Sequence, residues 1–544
     1  MAKNKRKILL LGFDSLTYGL LMRWLHKLQG FRELMFDLKT AWGPLESTMP
    51  PLSPPAWAAI ATGMNPGKTG IFGWMTFDKV TRQLKHASLQ NIKGLTFWDI
   101  AMLLKKMRVA LIRFPVITYP QYNRFLFKKT GGVLISGMPI EDLTPETVHP
   151  EQLAFKLSRD STLKIVPIVN IDIPRNEQNV EKIVRRSMLK WHKVSLELFK
   201  AEDWDIFSVV FTELDLIQHY FMGHMDPEYP HKEYLSKGYK NTIFFFYKLV
   251  DRILRDYLKV ADNYDIIIVS DHGSGPVYYD INMNYILAKL GLLNYYQEKT
   301  LGFISIRKSI RDIATKFLER EVILQDIIRN MPEFVNKYAI SKFRNIWLKS
   351  TTEYVLSVAN IKMTSVIAFG DFSNIYVLNT RNISTVRMVL KRIINRLINR
   401  LPEHLQRKAI LDIFEASSIF KTLHLKNTMP DLVAYGEVLK PTSKLPMQPL
   451  IATPVKTGDH TRDGFYLIKS DLIGTPSNSK NIRQQIYSIA PTILAILGLP
   501  IPNIVDGEPL VKCGLSKVID HKRLKIRLQL ASRRQNIYDR IVAT

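Results

Sequence analysis

Short apolar runs recur along the chain, and stretches with a helical spacing of apolar residues separate them. The runs are KILLLGF, RVALIRF, DIFSVVF, DIIIVS and NIYVL. Runs of this length and composition are typical of strands that are buried on both faces of a parallel sheet. Residues 179–200 show a helical pattern between two of these runs. This alternation predicts an α/β fold with a doubly wound, mostly parallel central sheet flanked by helices.

One segment outside this alternation, residues 383–401, predicts an amphipathic helix that Pro402 ends. Its apolar stripe consists of Ile383, Val386, Val389, Leu390, Ile393, Ile394, Leu397, Ile398 and Leu401. Its opposite face carries Arg387, Lys391, Arg392, Arg396 and Arg400. A stripe of this width is typical of a helix that packs on a core, although a basic amphipathic helix can also lie on a membrane surface.

The interruptions of the pattern also predict the domain organisation. Residues 301–350 are charged and have a helical pattern. We therefore expect residues 301–424 to form a largely helical cap or insertion. Residues 1–300 and 425–510 would form the core, and residues 511–544 would form a basic C-terminal extension.

Composition bounds the class of protein and its compartment. Of 544 residues, 46% are hydrophobic and 23% are charged, as in ordinary globular proteins with a large core. The single cysteine, Cys513, excludes an internal disulfide and a cysteine-ligated metal cluster, and favours a reducing compartment. The first apolar run stops at Gly12 and meets Asp14, which favours a buried strand over a signal peptide. With no apolar run of about 18 residues, the sequence predicts a soluble, cytoplasmic protein.

The formal net charge of +27 favours an anionic partner, such as nucleic acid, an anionic membrane surface or a polyanionic substrate. No zinc-finger spacing, RNA-recognition signature or basic stretch interleaved with aromatic residues accompanies this charge. Sequence-specific binding of nucleic acid is therefore not expected. Peripheral contact with an anionic membrane stays open, as does a surface of solvated Lys and Arg side chains without a specific partner.

The stretch PLSPPAWAAIATGMNPGKTG, residues 51–70, ends like a phosphate-binding loop but does not fit one. Thr62 stands where the Walker pattern needs its first glycine, and Gly63 is one residue too close to the Gly-Lys-Thr triplet. The preceding AWAAIA favours a helix where that loop follows a strand. A turn that ends a helix, with Lys68 solvated, is the better interpretation.

Acidic and histidine side chains follow the ends of several predicted strands. Ligand sites of parallel sheets form beyond the carboxyl ends of the strands, so we expect these side chains to lie close together. Alone, Asp14 and Asp215 are more ordinarily helix caps and His219 a hydrogen-bonded core histidine. Asp271-His272-Gly273 is a stronger signal, because two polar residues follow a fully apolar strand and the glycine permits a tight turn. Jointly they suit two divalent ions, because zinc and its neighbours bind imidazole and carboxylate groups. The residues are Asp14, Asp215, His219, Asp271, His272 and His460.

The order of the motifs resembles the alkaline phosphatase superfamily and, within it, the type I phosphodiesterases and nucleotide pyrophosphatases. The matching segments are GFDS, PLSPPAWAAIATGMNPGKTGIFGW, TELDLIQHY, VSDHGSGP, GDHTRDGF and SIAPTILAILGLPIPNIVDG. They extend from Gly12 to Gly507. The resemblance implies an alkaline phosphatase-like fold and a metal-dependent hydrolase that cleaves phosphodiester or pyrophosphate bonds in an anionic phosphate-ester substrate.

The resemblance also implies the cofactors and their ligands. Two divalent metal ions are expected, with Zn²⁺ as the first choice and Mn²⁺ or Mg²⁺ as alternatives. The implied ligands are Asp215, His219 and His460 for one ion, and Asp14, Asp271 and His272, together with the nucleophile, for the other.

In this family the nucleophile is a Thr or Ser that lies nine residues before the Thr of a Thr-Gly pair. Here the pair is Thr62-Gly63, and the count ends at Ser53. Metal coordination lowers the pKa of a serine hydroxyl, so a neighbouring histidine base is not needed. A covalent phospho-serine intermediate, released by water, is therefore expected, with a helix that begins near Ala56 pointing its N-terminus at the anion.

Two departures from the family pattern leave alternatives open. Trp74 stands where nucleotide pyrophosphatases carry an Asn as oxyanion donor, and Thr69 stands where relatives often have His. Sulfatases share a Cys/Ser-x-Pro-x-Arg frame that residues 53–57 match until Trp57 replaces the Arg. A phosphomonoesterase or a sulfatase is the alternative within the superfamily. A catalytically inactive protein with a basic, anion-binding or membrane-binding face is the alternative of another class.

Overall fold

The computed structural model describes residues 6–543 apart from 88–91, 93, 117–123, 139–142, 160–176, 297–350, 371, 379–381, 422–424, 426, 455, 474–480 and 511–517. The charged helical pattern of residues 301–350 and the single cysteine, Cys513, lie outside the described residues. The domain boundaries given above therefore stay a prediction.

The described elements alternate between strands and helices along most of the chain. The strands are β1 (Lys7–Phe13), β2 (Thr40–Glu46), β3 (Met75–Phe77), β4 (Leu84–His86), β5 (Val109–Phe114), β6 (Val133–Ser136), β7 (Val148–His149), β8 (Ile206–Phe211), β9 (Tyr264–Val269), β10 (Gly273–Asn282), β11 (Val366–Phe369), β12 (Asn374–Val377), β13 (Ile410–Glu415), β14 (Leu432–Thr442), β15 (Ile451–Ala452), β16 (Gly458–Thr461), β17 (Asp463–Lys469), β18 (Gln484–Gln485), β19 (Ile501–Pro502) and β20 (Val518–Ile519). The helices are α1 (Tyr18–Trp24), α2 (Gln29–Phe36), α3 (Ser53–Thr62), α4 (Pro66–Thr69), α5 (Phe97–Lys105), α6 (Arg124–Thr130), α7 (Glu151–Ser158), α8 (Glu177–Ala201), α9 (Glu213–Met225), α10 (Thr242–Leu258), α11 (Met283–Lys289), α12 (Thr351–Val358), α13 (Ile383–Ile398), α14 (Glu403–Gln406), α15 (Ala416–Ile419), α16 (Ile489–Ile496) and α17 (His521–Ala543).

A nine-stranded sheet forms the centre of the fold, in the order β18-β2-β17-β9-β1-β8-β5-β6-β7. Strand β1 is parallel to β8 and β9, and β5 extends the parallel part beside β8. Four of the five predicted runs lie here, so the prediction of a doubly wound, mostly parallel sheet is confirmed. The fifth run, NIYVL, was wrongly assigned. It forms β12, which is antiparallel to its neighbours in a second sheet, because an apolar run does not encode the direction of its partners.

Helices cover both faces of the central sheet, whose strands are buried along nearly their whole length. On β1, Ile8 and Leu10 pack into a core shared with α3, α5 and α16. Leu9 and Leu11 point to the other face and pack with α2, α8, α9 and α10. Because both faces are apolar, the strands read as continuous hydrophobic runs.

A seven-stranded second sheet follows the order β11-β12-β14-β10-β15, with β13 beside β14 and β16 beside β10. Three of its strands, β11 to β13, lie within the segment that was predicted as a largely helical cap. Strands β9 and β17 are antiparallel neighbours in the central sheet, and their continuations β10 and β16 are antiparallel neighbours in the second. Two strands thus cross side by side from one sheet into the other, and the residues at this crossing, 270–272 and 462, lie between the sheets.

Helix α13 packs on the second sheet with its apolar stripe. Val386, Leu390 and Ile394 are buried in the cluster that surrounds this sheet. Lys391 pairs with Asp412 of β13 at 2.6 Å. The packing interpretation of this stripe is therefore correct, and the stripe is not free to enter a membrane. Among the described residues, no helix combines the length and the apolar content of a membrane span.

Replacing Leu390 by Ala should lower the free energy of unfolding by about 2–5 kcal/mol, because a fully buried leucine leaves a cavity. The matched control is Arg392→Ala on the exposed face of the same helix, with an expected change of less than about 0.5 kcal/mol. Urea unfolding measures both variants. Equal stability of the two would contradict the packing described for α13.

Candidate active site

The crossing between the sheets brings together the first group of predicted site residues. Asp14 directly follows β1, and Asp271 and His272 lie between β9 and β10. All three are fully buried. The Nε2 atom of His272 lies 3.1 Å from Oδ2 of Asp271 and 3.6 Å from Oδ1 of Asp14. The backbone N–H of Ser15 donates to Oδ1 of Asp271 at 3.2 Å and ties the two strand ends together.

The second group is built from α9 and β16. Helix α9 begins two residues after β8, so Asp215 and His219 lie one turn apart on the same face, as their spacing predicted. Asp215 Oδ2 lies 3.3 Å from Nε2 of His219, and its Oδ1 lies 3.4 Å from Nε2 of His460. The two Nε2 atoms face each other at 3.1 Å. Two segments that are distant in sequence therefore meet at one point.

The two groups are adjacent, since the ring centroids of His272 and His460 are 3.9 Å apart. Within each group the potential ligand atoms lie within 4.8 Å of one another. Buried oxygen atoms of Asp14, Asp215 and Asp271 have no hydrogen-bond partner. Among the described residues, no Lys or Arg forms an ion pair with these three carboxylates. Carboxylate oxygens and imidazole nitrogens left open in this way fit divalent cations.

The electrostatics of the site show how closely these charges interact. Burial, and then the neighbouring carboxylates, raise the pKa of Asp14 well above its ordinary value. Burial also opposes ionisation of Asp215, but the two imidazoles beside it hold its pKa well below the ordinary value. Burial lowers the pKa of His272, yet Asp271 brings it up to about 8. Burial and the nearby His272 lower the pKa of His460 to about 4.

Ser53 is the first residue of α3 and lies beside the first group. Its Oγ atom is 3.2 Å from Nε2 of His272, and the residue is only 3% exposed. The helix begins three residues earlier than the expected Ala56, with prolines in its first turn. Proline suits that position because its fixed φ is helical and the missing N–H has no partner there. The N-terminus of α3 therefore lies at Ser53. Pro54 and Pro55 have no backbone N–H, and the N–H of Ala56 donates to the carbonyl of Leu52 at 3.0 Å. What favours an anion here is therefore the positive end of the helix dipole.

Trp57 fixes α3 against the central sheet. Its Nε1–H donates to Oδ2 of Asp14 at 3.2 Å, and its side chain is fully buried. A Cβ atom at Gly12 would lie 2.6 Å from the Trp57 ring, so only glycine allows this close approach. The position at which sulfatases carry an Arg is thus filled by a core side chain.

The end of the stretch that resembles a phosphate loop is structural. Lys68 is not solvated as expected, because it pairs with Asp506 at 2.7 Å in a loop more than 400 residues away in sequence. Asn65 caps the short helix α4 by accepting from the N–H of Gly67 at 2.8 Å. Thr69 is buried, and its Oγ1 accepts from a backbone N–H two residues on. These contacts leave no phosphate cradle here.

The second sheet brings an amide to the loop that lacks the family's Asn. Asn374, at the start of β12, donates from Nδ2 to the carbonyl of Phe72 at 3.0 Å. Its Oδ1 is buried without a hydrogen-bond partner. Trp74 is half-buried, and its carbonyl accepts from the N–H of Ala87 at 2.9 Å. The sequence carried no signal for Asn374, because 300 residues separate it from this loop.

Comparison with known proteins identifies the family. Residues 8–356 match the family described as type I phosphodiesterase / nucleotide pyrophosphatase. No curated protein matches the chain. Among solved structures, murine ectonucleotide pyrophosphatase / phosphodiesterase 5 matches with a TM-score of 0.47 and 11% identity, covering 91% of this chain and 96% of that one.

The human ectonucleotide pyrophosphatase / phosphodiesterase 5 matches with a TM-score of 0.44 and 11% identity, covering 93% of this chain and 96% of that one.

The family match extends over more than half of the chain and includes Asp14, Ser53, Asp215, His219, Asp271 and His272. The chain belongs to the type I phosphodiesterase / nucleotide pyrophosphatase family of the alkaline phosphatase superfamily, and it is a phosphoric-ester hydrolase.

Proposed function

We propose that this hydrolase cleaves phosphodiester or pyrophosphate bonds through a covalent phospho-serine intermediate on Ser53, at a site that holds two divalent ions. One observation carries the proposal. Ser53 lies at the N-terminus of a helix, 3.2 Å from His272, beside two adjoining groups of buried carboxylates and imidazoles. A nucleophile, an anion-binding helix end and two ligand groups are the parts that such a reaction needs.

The two ligand groups would hold the ions in the arrangement that the family resemblance implies. Asp215, His219 and His460 would bind one ion, and Asp14, Asp271 and His272, with Ser53, would bind the other. Bound divalent ions would lower the pKa of the serine hydroxyl and of water and would offset the charge of the phosphoryl group. Zn²⁺ is the proposed metal because half of the six side chains offer imidazole nitrogen.

Ser53 performs the first step in this proposal. Its Oγ attacks phosphorus and forms an O–P bond, while the bond from phosphorus to the leaving oxygen breaks. The leaving oxygen keeps the electron pair of that bond, and the proton lost from Oγ passes through solvent to the leaving group. The positive end of the α3 dipole at Ser53 favours the anionic oxygens during this exchange. Water then attacks the phospho-serine, its oxygen bonds to phosphorus, the Oγ–P bond breaks and one proton of the water passes to the Ser53 oxygen. The Gly12–Trp57 contact keeps Ser53 in place through both steps.

Two further parts of the proposal concern location and surface. The single cysteine supports a reducing compartment, so we place the enzyme in the cytoplasm.

Arg392 and Arg396 are exposed on the outer face of α13 and support peripheral contact with an anionic membrane. Binding to vesicles rich in anionic lipid should then weaken as salt rises. Binding that is insensitive to salt and to lipid charge would count against this part.

Replacing Ser53 by Ala should lower kcat for a nitrophenyl phosphodiester by about 10³-fold or more, because the attacking oxygen is lost. The matched variant Ser53→Thr keeps a hydroxyl of the kind the family also uses and should retain activity. Metal analysis should find the same metal content in both variants. Full activity of Ser53→Ala would show that another group attacks phosphorus.

A substrate panel tests the choice of ester. We expect kcat/KM for bis-nitrophenyl phosphate to exceed that for nitrophenyl phosphate and nitrophenyl sulfate by about tenfold or more, a difference of about 1.4 kcal/mol. The physical reason is that the buried Trp57 replaces the arginine of sulfatases, and a diester carries less charge than a monoester. Faster cleavage of the monoester or the sulfate would favour the alternatives within the superfamily.

Replacing Asp14 by Asn tests the metal ligands through stability. With EDTA, this variant should unfold at the same temperature as the wild type or higher, because the amide removes a buried charge from beside two other carboxylates. With Zn²⁺, the wild type should gain thermal stability and the variant should gain less. Differential scanning calorimetry measures both. An equal gain in the two proteins would exclude Asp14 as a ligand.

A further inference from the structure

In each of the three histidines of the site, the Nδ1 atom faces away from the carboxylates. The three residues differ in the hydrogen-bond partner of that atom. Each ring presents Nε2 to the carboxylates. The Nδ1 atom of His219 lies 2.7 Å from the carbonyl oxygen of Gly458, and that of His272 lies 3.1 Å from the carbonyl oxygen of Gly273. These carbonyls fix the orientation of two rings. The Nδ1 atom of His460 is buried and has no hydrogen-bond partner.

A carboxylate lies beside this open nitrogen. Asp459 Oδ1 is 3.6 Å from Nδ1 of His460, just beyond hydrogen-bond distance. The same oxygen accepts the backbone N–H of His460 at 2.8 Å, so the carboxylate is fixed on the side of the ring that faces away from the site. Asp459 is only 4% exposed, and water does not compete freely for it.

A lysine from the second sheet holds the other oxygen of this carboxylate. Lys440 of β14 forms an ion pair with Oδ2 of Asp459 through its Nζ atom. The ammonium also lies 5.9 Å from the ring centroid of Phe372, which in turn lies 6.1 Å from the ring of His460. Oδ2 of Asp459 therefore contacts the lysine, and Oδ1 lies beside the imidazole of His460.

We propose that Asp459 is the positioning residue of His460, and that Lys440 holds its carboxylate in place beside Nδ1. A histidine that ligates a metal through one nitrogen ordinarily donates its other N–H to a carboxylate or carbonyl, which fixes the tautomer and strengthens the ligand. Residues 458 and 459 would then orient His219 and His460, both on the same metal. The inference rests on the proposed metal site and assigns a role to residues outside the ligand set.

The competing explanation is that Asp459 only forms a structural ion pair with Lys440. The chain offers a matched control, because Lys444 pairs with Asp280 at 2.6 Å on the same sheet, and the side chain of Asp280 is similarly buried. Asp280 contacts none of the proposed ligands among the described residues. Loss of either aspartate leaves a partly buried lysine without its partner, but only loss of Asp459 removes an acceptor from a ligand histidine.

The experiment measures zinc affinity of the full chain by competition with a chromophoric chelator. Asp459→Ala should weaken the binding of one of the two zinc ions by about 10–100-fold. Asp459→Asn, which keeps an oxygen that can accept the N–H, should lose less. Asp280→Ala should bind both ions like the wild type.

The proposal would be overturned if Asp459→Ala bound both zinc ions with wild-type affinity. It would also be overturned if Asp280→Ala lost as much zinc affinity as Asp459→Ala, because that result would indicate a general effect of breaking an ion pair. A wild type that binds no zinc would instead refute the metal site on which the inference rests. The two failures are therefore distinguishable. Melting temperatures of the metal-free variants confirm that each one is folded.

Discussion

The site depends on the burial of three carboxylates at the place where two sheets join. Asp14, Asp215 and Asp271 are withdrawn from water, and no Lys or Arg of the described residues pairs with them. Removing ionised carboxylates from water costs several kcal/mol each unless an opposite charge compensates. Imidazole rings compensate only in part, because burial lowers the pKa of His460 to about 4. Divalent cations bound among these groups would supply the compensating charge.

Rigid packing beneath the site holds these residues in place. The ends of β1, β8 and β9 are level, since Gly12 of β1 pairs with Val210 on one side and Val269 on the other. Their carboxylates therefore emerge at one edge of the sheet. Trp57 then joins the helix of Ser53 to the same edge. A site whose residues are all fixed by strands and helix ends can hold its geometry within the small tolerance that catalysis requires.

The sequence was sufficient to predict the parts of the site that lie just after strands. Four apolar runs identified the parallel strands, and the polar residues that follow them could be read as one edge of a sheet. It did not predict the second sheet, because NIYVL has the same apolar character in an antiparallel strand. Contacts between segments that are distant in sequence could not be predicted either, because such contacts leave no periodic pattern in the sequence. Asn374, Lys440 and the pairing of Lys68 with Asp506 belong to this class.

Asp459 is an intermediate case. It directly precedes His460, so the sequence alone shows that the two residues are close. However, successive side chains in a strand ordinarily point to opposite faces, so a contact between them was not expected. Only the structure shows that its carboxylate turns back toward the imidazole. The position of a supporting residue thus depends on local backbone geometry that a motif does not record.

We propose that the crossing between the sheets holds two metal ions. Diffraction from crystals of the full chain grown with zinc, collected on both sides of the zinc absorption edge, tests it directly. We expect two anomalous peaks, one among Asp215, His219 and His460 and one among Asp14, Asp271 and His272 beside Ser53. Absence of peaks from these two positions, or zinc bound only elsewhere on the protein, would contradict the account.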